Sequence, residues 1–162
     1  MLFADTSFLC SLFREDINTH AAIDCWEHHR EPLAVSDLVV LEFEQAARFQ
    51  TFRFSLDRTQ GYSGRETERL LTMFRQNLSK GAFTVLLADW ATVMLKAQEL
   101  SAAHTVKHGH RLMDILHVAT ALCLGTDIFL TFDGNQSLLA RHSGLCVLPH
   151  LKEHAQKPKE RH

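Results

Sequence analysis

The chain is poor in the residues that staple small proteins or break up long ones. Among 162 residues there are four cysteines, Cys10, Cys25, Cys123 and Cys146, and none forms a C-x-x-C pair. Three of them sit among apolar neighbours, which points to reduced, buried thiols rather than a disulfide frame or a cysteine-held zinc. Only three prolines and seven glycines occur, too few for a low-complexity linker or a collagen-like chain. No apolar run approaches the ~20 residues of a membrane helix. Met1-Leu2-Phe3-Ala4-Asp5 has no basic stretch ahead of its apolar residues; it does not read as a secretory signal, and a cytoplasmic location without membrane contact is expected. Excess charge of either sign is also missing. The net charge is −2 and the pI is near 6.6, so any attraction to nucleic acid must be local rather than global.

What is present is an ordinary globular composition, 46% hydrophobic and 22% charged, in a length that suits one domain with its own core. Short apolar runs at Met1–Ala4, Leu33–Val35, Phe83–Leu87, Ile128–Thr131 and Leu145–Leu148 read as buried strands. Helical spacing marks Thr6–Phe13, Thr19–His29 and a helix capped by Ser36 that runs to about Phe49. It also marks a helix opened by the capping box Ser63-Gly64-Arg65-Glu66 and running to about Lys80. Asp89 caps a further helix through Ala103. Leu112–Leu124 is a helix apolar nearly all round, and Asn135–His142 is a short one. Thr51–Tyr62 reads as a polar, turn-like segment and His104–His110 as a loop. One domain over residues 1–150 is expected, followed by a polar tail, 151–162, expected to be disordered. Strands alternating with helices predict an α/β fold with a parallel sheet covered on both faces. Ligands of such sheets bind at the carboxyl ends of the strands.

Four acidic residues stand in apolar company. Asp5 follows Leu2-Phe3-Ala4, Glu42 lies within Leu38–Phe43, Asp114 within Leu112–Leu116, and Asp133 follows Ile128–Phe132. A buried lone carboxylate is costly and tends to neutralise. Each has a bland explanation: Asp5 and Asp133 as helix N-caps, Glu42 as a surface residue beside Glu44. Asp114 has the weakest one, because its helix offers little polar face. Four such groups meeting at sheet ends would repel one another, and a hard cation with oxygen ligands, Mg²⁺ or Mn²⁺, would relieve that repulsion.

The same residues carry a resemblance. Asp5-Thr6-Ser7-Phe8-Leu9, Ser36–Glu42, Arg111–Ala121 and Leu130-Thr131-Phe132-Asp133 resemble, in order, the four acidic motifs of PIN domains. Order, spacing and length over residues 1–148 resemble the VapC-type toxins of toxin–antitoxin modules. Gly134-Asn135-Gln136 is a less typical continuation of the last motif. The resemblance implies a PIN-like three-layer α/β/α fold with a central, mostly parallel sheet. It implies a metal-dependent endoribonuclease that acts on RNA, forms a homodimer and is restrained by a cognate antitoxin. Asp5, Glu42, Asp114 and Asp133 would be the catalytic acids. Asp5, Asp114 and Asp133 would be the first metal ligands, with Glu42 binding a second ion or orienting water. Thr6, Ser7 and Thr131 would support them. Arg48, Arg53 and Arg58 are candidate RNA contacts, against a simple solubilising role. Phe49, Phe52, Phe54 and Phe74 are expected to form an apolar patch for a twin or an antitoxin helix.

Other readings are weaker. A non-catalytic PIN-like interaction module would keep the fold without the chemistry. A haloacid-dehalogenase-like phosphatase would need a second Asp where Ser7 stands. A zinc site at His104, His108 and His110 is disfavoured by the loop reading of that segment. His117, one turn after Asp114, reads as a hydrogen-bonded core histidine or as a residue that orients a carboxylate.

Overall fold

The structure is a computed structural model that describes residues 1–150; the tail expected from 151 to 162 lies outside the described residues. Five strands form one parallel sheet: β1 (Leu2–Ala4), β2 (Leu33–Ser36), β3 (Phe83–Leu86), β4 (Ile128–Leu130) and β5 (Cys146–Leu148). Their order across the sheet is β3-β2-β1-β4-β5. Phe3 pairs with Ala34 on one side and with Phe129 on the other. The central strands β1 and β2 are wholly buried, which is why they read as continuous apolar runs rather than alternating ones. Strand β3 lies at an edge and exposes Thr84 and Val85.

From β1 the chain winds outward through β2 to β3, then returns past β1 to β4 and β5. Right-handed crossovers in opposite directions put their helices on opposite faces of the sheet. The first group is α1 (Thr6–Phe13), α2 (Thr19–His29), α3 (Asp37–Leu56) and α4 (Gly64–Ser79), which pack on one another. The second contains α5 (Trp90–Leu100), α6 (Val106–His108), α7 (Leu112–Cys123) and α8 (Gly134–His142), with α7 packed against both α5 and α8. The two winding directions part at the ends of β1 and β4, the switch point at which an open parallel sheet forms its crevice.

An aromatic cluster fixes the first group. Phe43, Phe74 and Phe83 are buried, and Phe13 packs against all three with ring centroids 5.6, 5.7 and 5.8 Å away. This corrects the apolar-patch expectation in part: Phe74 is fully buried and Phe54 half-buried, while Phe49 and Phe52 remain about half exposed. The second group is built on α7, where every residue from Asp114 to Ala121 is buried, as its all-round apolar sequence predicts. The four cysteines are free, but none is buried as expected: Cys10, Cys25 and Cys123 are half-buried and Cys146, on the edge strand β5, is exposed. No helix among the described residues is long and apolar enough to cross a membrane.

Two segments differ from the sequence reading. Helix α3 continues past Phe49 to Leu56, so the first half of the expected turn-like segment is helical. Thr51–Leu56 contains no glycine or proline to stop it; Asp57 does, by turning its carboxylate onto the amide and hydroxyl of Thr59. Likewise α5 does not give way to a loop at His104. It passes through a π-helical turn, Ser101–Thr105, into α6. The first breaker is Gly109, whose φ of +69° suits a residue without a Cβ.

Candidate functional site

Asp5 stands immediately after β1 and is completely buried. Its carboxylate caps α1, accepting from the Phe8 amide at 2.8 Å. The Ser7 hydroxyl donates to it at 2.8 Å and the Thr131 hydroxyl at 2.6 Å. Both hydroxyls are themselves fixed from β4's side: Ser7 Oγ accepts from the Phe132 amide and Thr131 Oγ1 from the Asp133 amide, each at 2.9 Å. The ends of β1 and β4 are thus tied through one carboxylate. Burial raises the Asp5 pKa, and the bonds from Thr131, Phe8 and Ser7, with the nearby His117, only partly offset it, leaving it at about 6.

Glu42 lies half-buried on α3. It accepts from the Thr6 hydroxyl and, at 2.6 Å, pairs with Nε2 of His117. Burial pushes its pKa up, but the bonds from His117 and Thr6 outweigh burial and hold the group below the ordinary carboxylate range. His117 is fully buried, and its Nδ1 has no partner among the described residues. The two sequence readings of His117 therefore coincide, since it is a core residue and it orients a carboxylate.

Asp114 is buried in the first turn of α7, where it accepts from the Arg111 amide at 2.9 Å. The apolar sequence around it gives little structural reason for a carboxylate there. The structure supplies one: a carboxylate at the third helical position satisfies a free amide and complements the helix dipole. Asp114 and His117 are three residues apart, on the side of α7 that meets Glu42. Asp133 caps α8, accepting from the amides of Asn135 at 2.8 Å and Gln136 at 2.9 Å. The less typical Gly134-Asn135-Gln136 run is thus the opening of that helix.

The hydrogen bonds bring together Asp5, Ser7 and Thr131 with the Asp133 backbone, and Thr6 with Glu42 and His117. The Asp114 side chain has no direct bond to the other three acids among the described residues. Three of the four acids hold helix N-termini, and no three of the four have ligand atoms all within 4.8 Å of one another. This donor set fits a hard cation that takes one or two carboxylates and completes its shell with water, as Mg²⁺ does. The raised Asp5 pKa marks negative charge that the protein's own donors leave undercompensated.

The three arginine candidates are exposed and engaged locally. Arg48 pairs with Glu44 at 2.6 Å, Arg53 donates to Gln60 at 2.6 Å, and the Arg58 guanidinium lies 4.8 Å from the centre of the Phe54 ring. Arg53 is on Glu42's side of α3, but eleven residues on, or ~16 Å along the axis. The trio His104, His108 and His110, disfavoured from the sequence as a zinc site, does not form one ligand group; His104 and His108 instead meet His142. The signal for that meeting was the i, i+4 pair on an unbroken helix; His142 comes from α8 and carried no signal in the linear sequence.

Twenty-eight chains of solved structures match this fold. The sarcin–ricin-loop-cleaving toxin VapC20 of Mycobacterium tuberculosis is 22% identical, with a TM-score of 0.60 over 85% of this chain and 94% of that one. FitAcB from Neisseria gonorrhoeae is 17% identical, with a TM-score of 0.65 over 93% of this chain and 100% of that one. A chain of a toxin–antitoxin complex from Klebsiella pneumoniae is 19% identical, with a TM-score of 0.56 over 92% and 97% of the two chains. At these identities the likeness is one of fold. No curated protein sequence matches. The PIN domain family model matches residues 2–142, nearly the whole described chain and all four acidic motifs, and the chain belongs to the PIN domain family.

Proposed function

We propose that this protein is a divalent-metal-dependent endoribonuclease and the toxin of a toxin–antitoxin pair. The observation that carries the reading is Asp5. It is a fully buried carboxylate at the switch point of a parallel sheet, held by two hydroxyls and raised to a pKa of about 6. Family membership and the fold shared with toxins of such pairs support it. Asp5, Asp114 and Asp133 would hold Mg²⁺ or Mn²⁺, one or two of them directly and the rest through the water of its shell. When bound, such a cation activates water and neutralises charge on the scissile phosphate.

The chain's own residues do the rest. Ser7 and Thr131 fix the Asp5 carboxylate. His117 and Thr6 keep Glu42 ionised and aimed, so that it can orient the attacking water and accept a hydrogen bond from it. The positive ends of α1, α7 and α8 lie beside these acids and favour an approaching phosphate. Single-stranded RNA suits the site, because its phosphates can reach a recessed cluster that a duplex would bridge. The exposed ridge of α3, with Leu41, Phe49, Phe52 and Leu56 each at least half exposed, is the surface we assign to a second copy or an antitoxin helix.

One observation favours a second reading. Because Asp5, Asp114 and Asp133 each satisfy a helix N-terminus, all three have a structural role that needs no metal. Cleavage of single-stranded RNA with Mg²⁺ or Mn²⁺ separates the two. The nuclease reading expects cutting that EDTA abolishes and that Asp5→Asn and Asp114→Asn each lower by at least ~100-fold. A folded wild-type protein that leaves RNA intact with either metal would establish the non-catalytic module instead.

A further inference from the structure

On the side of the molecule where α6 meets α8, three histidines converge. His104 ends up on the π-helical turn, His108 on the last turn of α6, and His142 on the last turn of α8. One ring nitrogen from each lies within 4.8 Å of the others. The His108 and His142 ring centres are 5.1 Å apart, and the His104 and His142 rings stack at 5.8 Å. His104 and His108 are four residues apart on one continuous helical run, which turns both imidazoles toward His142.

A second observation points to the same place. His110 is 95% buried, yet neither of its ring nitrogens has a hydrogen-bond partner among the described residues. A buried imidazole without partners is uncommon and calls for a water or an ion nearby. Its ring centre is 5.7 Å from that of His108, and the ionisable groups acting on it are Asp114, His108, His104 and His142.

We infer that His104, His108 and His142 form a transition-metal site, with Zn²⁺ the ion it suits. Imidazole nitrogens select zinc and its borderline neighbours, whereas Mg²⁺ and Mn²⁺ prefer oxygen, so this site is chemically distinct from the carboxylate cluster. Tetrahedral zinc with bonds of ~2.0–2.1 Å holds its nitrogens ~3.4 Å apart. Closing from within 4.8 Å takes only side-chain rotation, and His108 and His142 are exposed and free to make it. Water completes the tetrahedron, and the unpartnered His110 is the residue that hydrogen-bonds it. Two parts of the chain distant in sequence are clipped together by this site. One leads through Gly109 into α7 and Asp114, and the other is the far end of the helix that Asp133 caps.

The test uses the full chain and the metals alone. Co²⁺ is expected to give the visible absorption of a tetrahedral site, lost on adding one equivalent of Zn²⁺ and unaffected by millimolar Mg²⁺. Calorimetry is expected to give one Zn²⁺ per chain, with at least a tenfold loss of affinity for His142→Ala and for His108→Gln, but none for His28→Ala. At ~100 times the dissociation constant, Zn²⁺ raises the melting temperature by ~5–10 °C in the parent and not in the first two variants. Circular dichroism of the metal-free variants, which alter only exposed side chains, verifies that they fold. Absence of the cobalt spectrum, or zinc binding of parental affinity in both His142→Ala and His108→Gln, overturns the inference. Neither result depends on whether RNA is cut.

Discussion

Replacing Asp5 with Asn removes one charge while keeping the shape of the side chain, and burial sets the size of the response. The Asp5 pKa rises from an ordinary 3.8 to about 6 on folding. At 1.36 kcal/mol per unit, the ionised folded protein carries a penalty of ~3 kcal/mol. The sign follows from linkage. Between about pH 4 and pH 6 the folded state holds a proton that the unfolded state has released. Stability therefore falls as pH rises through that window and stays low above it. Asn at this position has no proton to lose and escapes the penalty. Its amide must meet the Ser7 and Thr131 hydroxyls, which now donate to the carboxylate; turning them round costs ~1 kcal/mol. The net expectation near neutral pH is ~2 kcal/mol in favour of the variant, or ~4–8 °C in melting temperature for a domain of this size. The assay is thermal melting in EDTA from about pH 4 to pH 8, alongside RNA cleavage with metal. The gap between variant and parent should widen as pH rises from about 4 to about 6 and hold steady above that, while cleavage is lost. A variant no more stable than its parent at neutral pH, or a gap independent of pH, would refute the account of Asp5 as an undercompensated buried charge. Unchanged cleavage would refute its catalytic assignment.

His117→Leu should raise the Glu42 pKa into or above the ordinary carboxylate range, because the largest opposing interaction to its burial is gone; carboxylate NMR titration reads this directly. In the parent, the stability due to Glu42 is present above about pH 4.5 and fades as pH falls through its lowered folded value, so the variant should show a shallower acid limb in the same melts. Gly61→Ala should cost several kcal/mol. With φ at +72° its Cβ would stand 2.1 Å from the Gln50 carbonyl oxygen, the acceptor of the Tyr62 amide. Gly81→Ala, at φ +74° and with no atom of the described residues beyond its chain neighbours within 4 Å of the added Cβ, should cost only the ~1 kcal/mol of a left-handed alanine. Urea titration of the two variants checks the difference, and equal losses would show that the close approach at Gly61 is relieved cheaply.

The local pattern of residues determined most of the fold. Five short apolar runs, the Ser63–Glu66 capping box and the apolar circumference of Leu112–Cys123 are legible because strand burial, capping and helix burial depend on neighbours in sequence. The same locality located Asp5, Glu42, Asp114 and Asp133 as acids in the wrong company. It failed where the stop signal was weaker than continuation. Thr51–Leu56 and His104–His108 look polar enough for loops, yet nothing in them breaks a helix before Asp57 and Gly109. What only the tertiary structure decided is which distant groups meet. Thr131 reaches Asp5 because β1 and β4 are adjacent strands at the sheet's centre. His117 reaches Glu42 because α7 and α3, on opposite faces of the sheet, meet at its carboxyl edge. His142 joins His104 and His108 because α7 packs against both α5 and α8. Each of these partners is fixed by strand order and crossover direction, which are properties of the whole chain and leave no mark on the residues that finally touch.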